Sequence, residues 1–167
     1  MLDLLPRVQK WRYISPMKKA RSSFSVVTLD NCVYVFGGLF EQTSLKCVEK
    51  YDPHSNTWAQ LPPMHCAREN STACVFNGRI LVAGGRDRKT VEEFNPATNQ
   101  WTFTTGNLTF ERSGGAMTLV AGNLILGGGD KYDTIEFFND EKRRWIMWPT
   151  WCTFLNVVPS HYVLTLG

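Results

Sequence analysis

Three arginines and three glutamates recur in step along this chain, and guanidinium and carboxylate groups are the ones that hold anions or move protons. Arg21, Arg68 and Arg112 are followed by Glu49, Glu92 and Glu136. A ring of arginines could bind an anion. A pair present in every copy reads instead as construction, with guanidinium donors bonded to carbonyls or carboxylates. The few other carboxylates outside polar turns form no acid–base pair. His54, His65 and His161 share no metal-ligand spacing. Cys32, Cys47, Cys66, Cys74 and Cys152 are odd in number and contain no Cys-x-x-Cys pair. They read as buried free thiols in a reducing compartment, with Cys32 and Cys47 on predicted strands. No Gly-x-x-x-x-Gly-Lys loop is present to cradle a phosphate. The residues therefore predict no catalytic group, no metal and no cofactor.

The elements that position these side chains repeat every 43 to 47 residues. Each copy has a glycine doublet 16 residues after its arginine: Gly37-Gly38, Gly84-Gly85 and Gly128-Gly129. Each also has an aromatic seven residues before a tryptophan: Tyr51/Trp58, Phe94/Trp101 and Phe138/Trp145. Such a period marks a repeat architecture in which no copy stands alone. Within a copy, a polar–apolar stretch reaches a two-residue turn, Asp30-Asn31, Asn77-Gly78 or Ala121-Gly122. The first two of these contain residues that tolerate positive φ, as tight hairpins need. A short apolar run follows, as in Val33-Tyr34-Val35-Phe36, and predicts a strand buried on both faces. A third strand precedes a polar turn such as Asp52-Pro53-His54-Ser55-Asn56, and the tryptophan opens a fourth. No helical period intervenes, so the fold class is all-β, built of four-stranded antiparallel blades. The repeated tryptophans are expected to pack between blades rather than cage a ligand.

The doublet after an apolar strand, the spaced Tyr/Phe and Trp, and Met17-x-x-x-Arg21 and Met64-x-x-x-Arg68 between copies resemble the kelch repeat. Leu108 replaces the methionine before Arg112. The likeness spans nearly the whole chain and is greatest to the kelch half of BTB-kelch proteins. It implies a kelch β-propeller, here a partial one. The expected units are 1–11, the tail of a preceding blade; 12–58, 59–101 and 102–145, one kelch repeat each; and 146–167, a truncated further repeat. In that last copy Phe154 falls where Phe24 does, but Trp151 occupies the arginine position and Pro159 ends the first strand. About half a ring predicts a fragment of a longer propeller; a stable open array or a ring formed by two chains is the other reading.

The resemblance further implies target recognition in a cullin-type ubiquitin ligase adaptor. Cullin would be reached only through a BTB domain, which this sequence does not contain. An actin-binding kelch module is the alternative. From a different class, a galactose-oxidase-like copper enzyme would need tyrosine, cysteine and histidine around one metal, and the three histidines do not converge. In the family, the connections after the doublets and the residues after the linker arginine line one mouth of the propeller. That carries over to Ser23, Asn70 and Gly114, and to connections that differ in length and chemistry. Variable loops on a rigid scaffold are where recognition is found. The candidate partner-binding residues are Phe40, Glu41, Asn70, Arg86, Arg88, Lys131 and Tyr132, several of them types enriched at binding hot spots. The basic second connection, Arg86 to Lys89, would suit an acidic segment.

Composition restricts the classes of partner. The 167 residues are 43% hydrophobic and 20% charged, ordinary for a soluble β protein. A net charge of +3 is far from the dense basic surface of a nucleic-acid binder. No apolar stretch approaches the roughly 20 residues that cross a bilayer. The opening Met1-Leu2-Asp3-Leu4-Leu5-Pro6 carries an acid and lacks a secretory leader's apolar segment. Without a signal sequence the triplets Asn70-Ser71-Thr72 and Asn107-Leu108-Thr109 carry little weight as glycosylation sites. The expectation is a cytoplasmic protein that binds protein targets, with no nucleic acid and no membrane.

Overall fold

The computed structural model describes residues 12–131 and 133–148. The expectations for 1–11, Tyr132, Cys152, His161 and most of 146–167 lie outside those residues. Fourteen strands and no helix are found among the described residues, so none has a helix long and apolar enough to cross a membrane. The first repeat contributes β1 (Ser25–Leu29), β2 (Cys32–Phe36), β3 (Leu39–Phe40), β4 (Thr43–Ser44), β5 (Val48–Asp52) and β6 (Thr57–Leu61). The second contributes β7 (Ser71–Phe76), β8 (Arg79–Gly84), β9 (Val91–Asn95) and β10 (Gln100–Phe103). The third contributes β11 (Ala116–Val120), β12 (Asn123–Gly127), β13 (Ile135–Asn139) and β14 (Arg144–Met147). Three antiparallel sheets result, ordered β1-β2-β5-β6, β7-β8-β9-β10 and β11-β12-β13-β14, so each repeat folds into one blade.

The turns set the register. Leu29 pairs with Cys32, Phe76 with Arg79 and Val120 with Asn123, leaving two-residue loops. All six loop residues have positive φ, Ala121 included at 47°. This is the primed-turn geometry whose twist matches that of paired strands. At the Asp/Asn turns a side-chain oxygen holds the next backbone. Asp52 accepts from the His54 amide at 2.8 Å, Asn95 from Ala97 at 3.0 Å and Asn139 from Lys142 at 2.7 Å. The Ser55 hydroxyl also donates to Asp52, and these two bonds, the hydroxyl's first, hold the Asp52 carboxyl below its usual range.

Two strand expectations are corrected. Residues Leu39–Ser44, read as a plain connection, form the β3–β4 hairpin, closed by Glu41 and Gln42 at φ 46° and 65°. Cys47 precedes β5 rather than lying on it; only Cys32 of that pair is in a strand. The four described cysteines are free and half-buried, more open than buried thiols would be.

Burial follows from period-2 alternation. In β8, Ile80 and Val82 join Tyr34, Phe36, Val48, Met64, Phe94 and Trp101 in a core between the first two blades. Leu81 and Ala83 on the opposite face join Leu108, Met117, Leu124, Leu126, Phe138 and Trp145 between the second and third. Residues 80–83 are thus enclosed from both sides, as the apolar run requires. Neighbouring blades meet most closely along their first strands, β1 to β7 and β7 to β11. The Ser25 and Ser71 hydroxyls bridge that seam at 2.6 Å.

Candidate functional site

The antiparallel order places doublets, connections and linker arginines at one end of the blades, and both kinds of turn at the other. At the first end the arginines are tied down. Arg68 donates to the carbonyls of Gly84 at 2.6 Å and Thr90 at 2.9 Å, to Thr90 Oγ1 at 2.8 Å, and to Glu92 Oε1 from Nε and Nη2. Arg112 makes the same set with Gly128, Thr134 and Glu136. Arg21 bonds Gly37, Cys47 and Glu49, where the Cys47 thiol at 3.2 Å stands in for the threonine hydroxyl. Burial pulls the Arg68 pKa down, and the Glu92 carboxylate beside it opposes that shift. Glu92 also accepts the His65 and Cys66 amides at 2.7 and 3.1 Å, so its oxygens are occupied. These guanidinium groups, sealed from solvent, offer nothing to an anion outside.

The doublets seat the following blade. A Cβ on Gly37 would stand 2.3 Å from the Arg68 carbonyl oxygen, and one on Gly84 2.4 Å from that of Arg112. The second glycine of each donates its amide to the same oxygen at 2.8 Å, Gly38 to Arg68 and Gly85 to Arg112. Each doublet has positive φ throughout, which glycine alone adopts without strain. The tryptophans lock a blade to its own linker: Trp58 Nε1 donates to the Ser15 carbonyl at 2.7 Å and Trp101 to that of Pro62 at 2.9 Å. Trp145 Nε1, buried, has no hydrogen-bond partner among the described residues; Thr104 bonds the equivalent carbonyl, that of Gly106. Trp101 also packs edge-on against Phe36 of the preceding blade, ring centroids 5.8 Å apart.

The residues that follow the linker arginines form a second framework. Ser23, Asn70 and Gly114 all have positive φ. Their backbones join blade to blade, Asn70 donating to Ser23 at 2.9 Å and Gly114 to Asn70 at 2.8 Å. Each connection is pinned beside this line: Leu39 bonds Ser22, Arg86 bonds Glu69 and Asp130 bonds Ser113.

The candidate partner-binding residues divide on this scaffold. Phe40 is half-buried in the β3–β4 hairpin with the Lys19 ammonium 3.7 Å above its ring, and Glu41 is exposed at the tip. Arg88 is half-buried, its backbone bonded to Gly85 and Arg112. Arg86 and Lys131, exposed, line one cavity of about 240 Å³ with Asp87, Glu111, Ser113 and Asp130. Phe40, Glu41 and Arg88 do not reach it. The sequence reading passed over Glu69 and Glu111. Glu69 stands where the other copies have Ser22 and Ser113, and Glu111 where they have Ala20 and Ala67, a break in the repeat that was visible in the alignment of copies. Among the described residues no three His, Cys, Asp or Glu side chains gather as a metal-ion set.

Residues 20–65 and 67–106 match the Kelch motif family. The chain belongs to the kelch-repeat family. Human Kelch-like protein 33 is 34% identical over 80 residues, covering 48% of this chain and 15% of its own length. Zebrafish Kelch-like protein 26 is 33% identical over 104 residues, covering 57% and 17% respectively. An F-box/kelch-repeat protein of Arabidopsis thaliana is 31% identical over 85 residues, or 46% of this chain and 18% of its own. The chain thus spans less than a fifth of the length of these relatives. The solved structure of YjhT superposes with a TM-score of 0.67 at 15% identity, over 80% of this chain and 53% of the other. That likeness concerns the fold, and with the three sheets it makes this a partial kelch propeller. The third blade lies beyond the matched residues yet keeps the same sheet order and arginine contacts. Kelch repeats with Kelch-like relatives make the chain a protein-interaction module.

Proposed function

We propose that this chain, a partial kelch propeller, belongs to the non-catalytic target-recognition half of a BTB-kelch, cullin-type ubiquitin ligase adaptor acting in the cytoplasm. The carrying observation is the contrast between uniform and variable positions at one end of the blades. The arginines, glutamates and doublets are consumed in blade construction, while Arg86 and Lys131 project from connections unlike those of the other repeats. The Kelch-like relatives support the adaptor reading. Cullin would be met by a BTB domain, and the blades would hold the target. Phe40, Glu41, Asn70, Arg88 and Tyr132 belong to the same proposed recognition end.

The test is affinity capture from cells followed by quantitative binding of the identified target to wild type and to Arg86→Glu/Arg88→Glu. Capture of a target, together with cullin in the product that carries a BTB domain, supports the reading. With circular dichroism showing unchanged folding, the double variant should bind about tenfold or more weakly, the scale of a lost charged hydrogen bond. Unaltered affinity removes both arginines from the site. Cosedimentation with filamentous actin in place of target capture would favour the actin module instead.

A further inference from the structure

We infer that Glu69 is a positioning residue that fixes Arg86 as a receptor for a single carboxylate, and that the cavity beside it takes a peptide segment in which an acidic residue stands next to a basic one. This rests on the proposed function and names the class of target segment. Glu69 is 2% exposed, and a carboxylate so enclosed is costly unless paired. Its Oε2 accepts from the Ser44 hydroxyl of the first blade at 2.7 Å. Its Oε1 faces Arg86 Nε at 2.8 Å, an ion pair whose angle falls short of a hydrogen bond. The Arg86 amide donates to the Glu69 carbonyl at 3.0 Å, so the two residues are joined through both backbone and side chain.

The pair engages only the Nε edge. The Arg86 side chain is 65% exposed, and its Nη1–Nη2 edge has no partner among the described residues. That edge is the planar fork that matches a carboxylate in two parallel bonds. A guanidinium anchored by a buried counter-ion loses less freedom on binding than a loose one.

The other lining groups decide what can accompany that carboxylate. Asp87, Glu111 and Asp130 face the same space and make no ion pair among the described residues, against the one further cation, Lys131. A second acid in the ligand would meet three like charges, whereas a base beside the first would meet three opposite ones. Like-charge juxtaposition is how an interface rejects wrong partners. The acidic run that Arg86, Arg88 and Lys89 suggest in the sequence is thereby disfavoured.

The experiment is an NMR titration of the whole chain, following arginine Nε–H signals, with short peptides alike except for a central Glu-Lys, Glu-Glu, Lys-Lys or Gln-Gln. The Glu-Lys peptide should shift the Arg86 signal and bind about tenfold more tightly than the rest. Arg86→Gln should erase the preference. Glu69→Gln, equal in shape, should melt close to wild type yet move the Arg86 signal and lose a comparable factor in binding. Arg79→Gln, remote from the cavity, should change neither. Best binding by Glu-Glu or Lys-Lys, full binding by Glu69→Gln, or an Arg86 signal that no peptide shifts would each overturn the inference. A target held through other connections with Arg86 silent would leave the proposed function standing, whereas loss of all target binding would remove it.

Discussion

Every buried guanidinium in these blades is matched almost donor for donor, and that accounting governs what substitution there must do. Arg68 sends five bonds to two carbonyls, a threonine and Glu92, with its side chain fully enclosed. Removing it leaves the buried Glu92 carboxylate without its counter-ion and takes a donor from the carbonyls of Gly84 and Thr90. Arg68→Ala should therefore lose about 3–5 kcal/mol in urea unfolding. Arg79 pairs with Glu93 at 3.0 Å in the open, its side chain 45% exposed, and Arg79→Ala should lose less than about 1 kcal/mol. Equal losses would contradict the distinction between buried and exposed pairs. The recurrence of Arg and Glu at fixed offsets makes their structural use legible in the sequence alone. Glu69 was not read, because a single acid gives no spacing signal; only its departure from Ser22 and Ser113 marks it.

Among the elements, turn chemistry decided what could be read. Asn77-Gly78 and the Asp/Asn-led turns announce themselves, and from them the strand edges follow. The β3–β4 hairpin went unread because Glu41-Gln42 is a poor pair for positive φ and its strands are two residues long. Ala121 has the same poor fit, at φ 47° and exposed. Ala121→Asn should relieve it, raising stability by about 0.5–1 kcal/mol in thermal or urea unfolding. No gain would mean that the turn's strain is already relaxed. The Asp52 turn carries a pH signature. Its carboxyl titrates lower in the folded chain than in the unfolded one. The stabilisation is present above the unfolded value, about 3.9, and is lost as pH falls through the folded one. Asp52→Asn copies the turns at Asn95 and Asn139. It should melt like wild type near neutrality and lose less stability on acidification; identical acid profiles would show that Asp52 contributes nothing.

For the molecule as a whole, stability is shared between neighbours in the manner of stacked repeats. Trp101 touches Phe94 of its own blade, Phe36 of the one before and the carbonyl of Pro62. Trp101→Ala should cost about 3–5 kcal/mol. By hydrogen exchange it should expose the amides of β2 and β8 together, while β12, which lies outside that core, opens less. Uniform exposure across all three blades would instead mean a single cooperative unit. The repeat period made the blade architecture legible. The cavity was not, because it joins Arg86 and Asp87 to Glu111, Asp130 and Lys131, which come together only once two blades stand side by side.

The seating of one blade's doublet on the next blade's arginine carbonyl bears on how such chains can be recombined. The stretch from one linker arginine to the residue before the next carries its own doublet and supplies, through its leading carbonyl, what the preceding doublet requires. Cassettes cut at the arginines should therefore be exchangeable between positions with their junctions intact. Cuts made inside a sheet would part a glycine from the strand it terminates, and a chimera joined there would inherit two half-built seams.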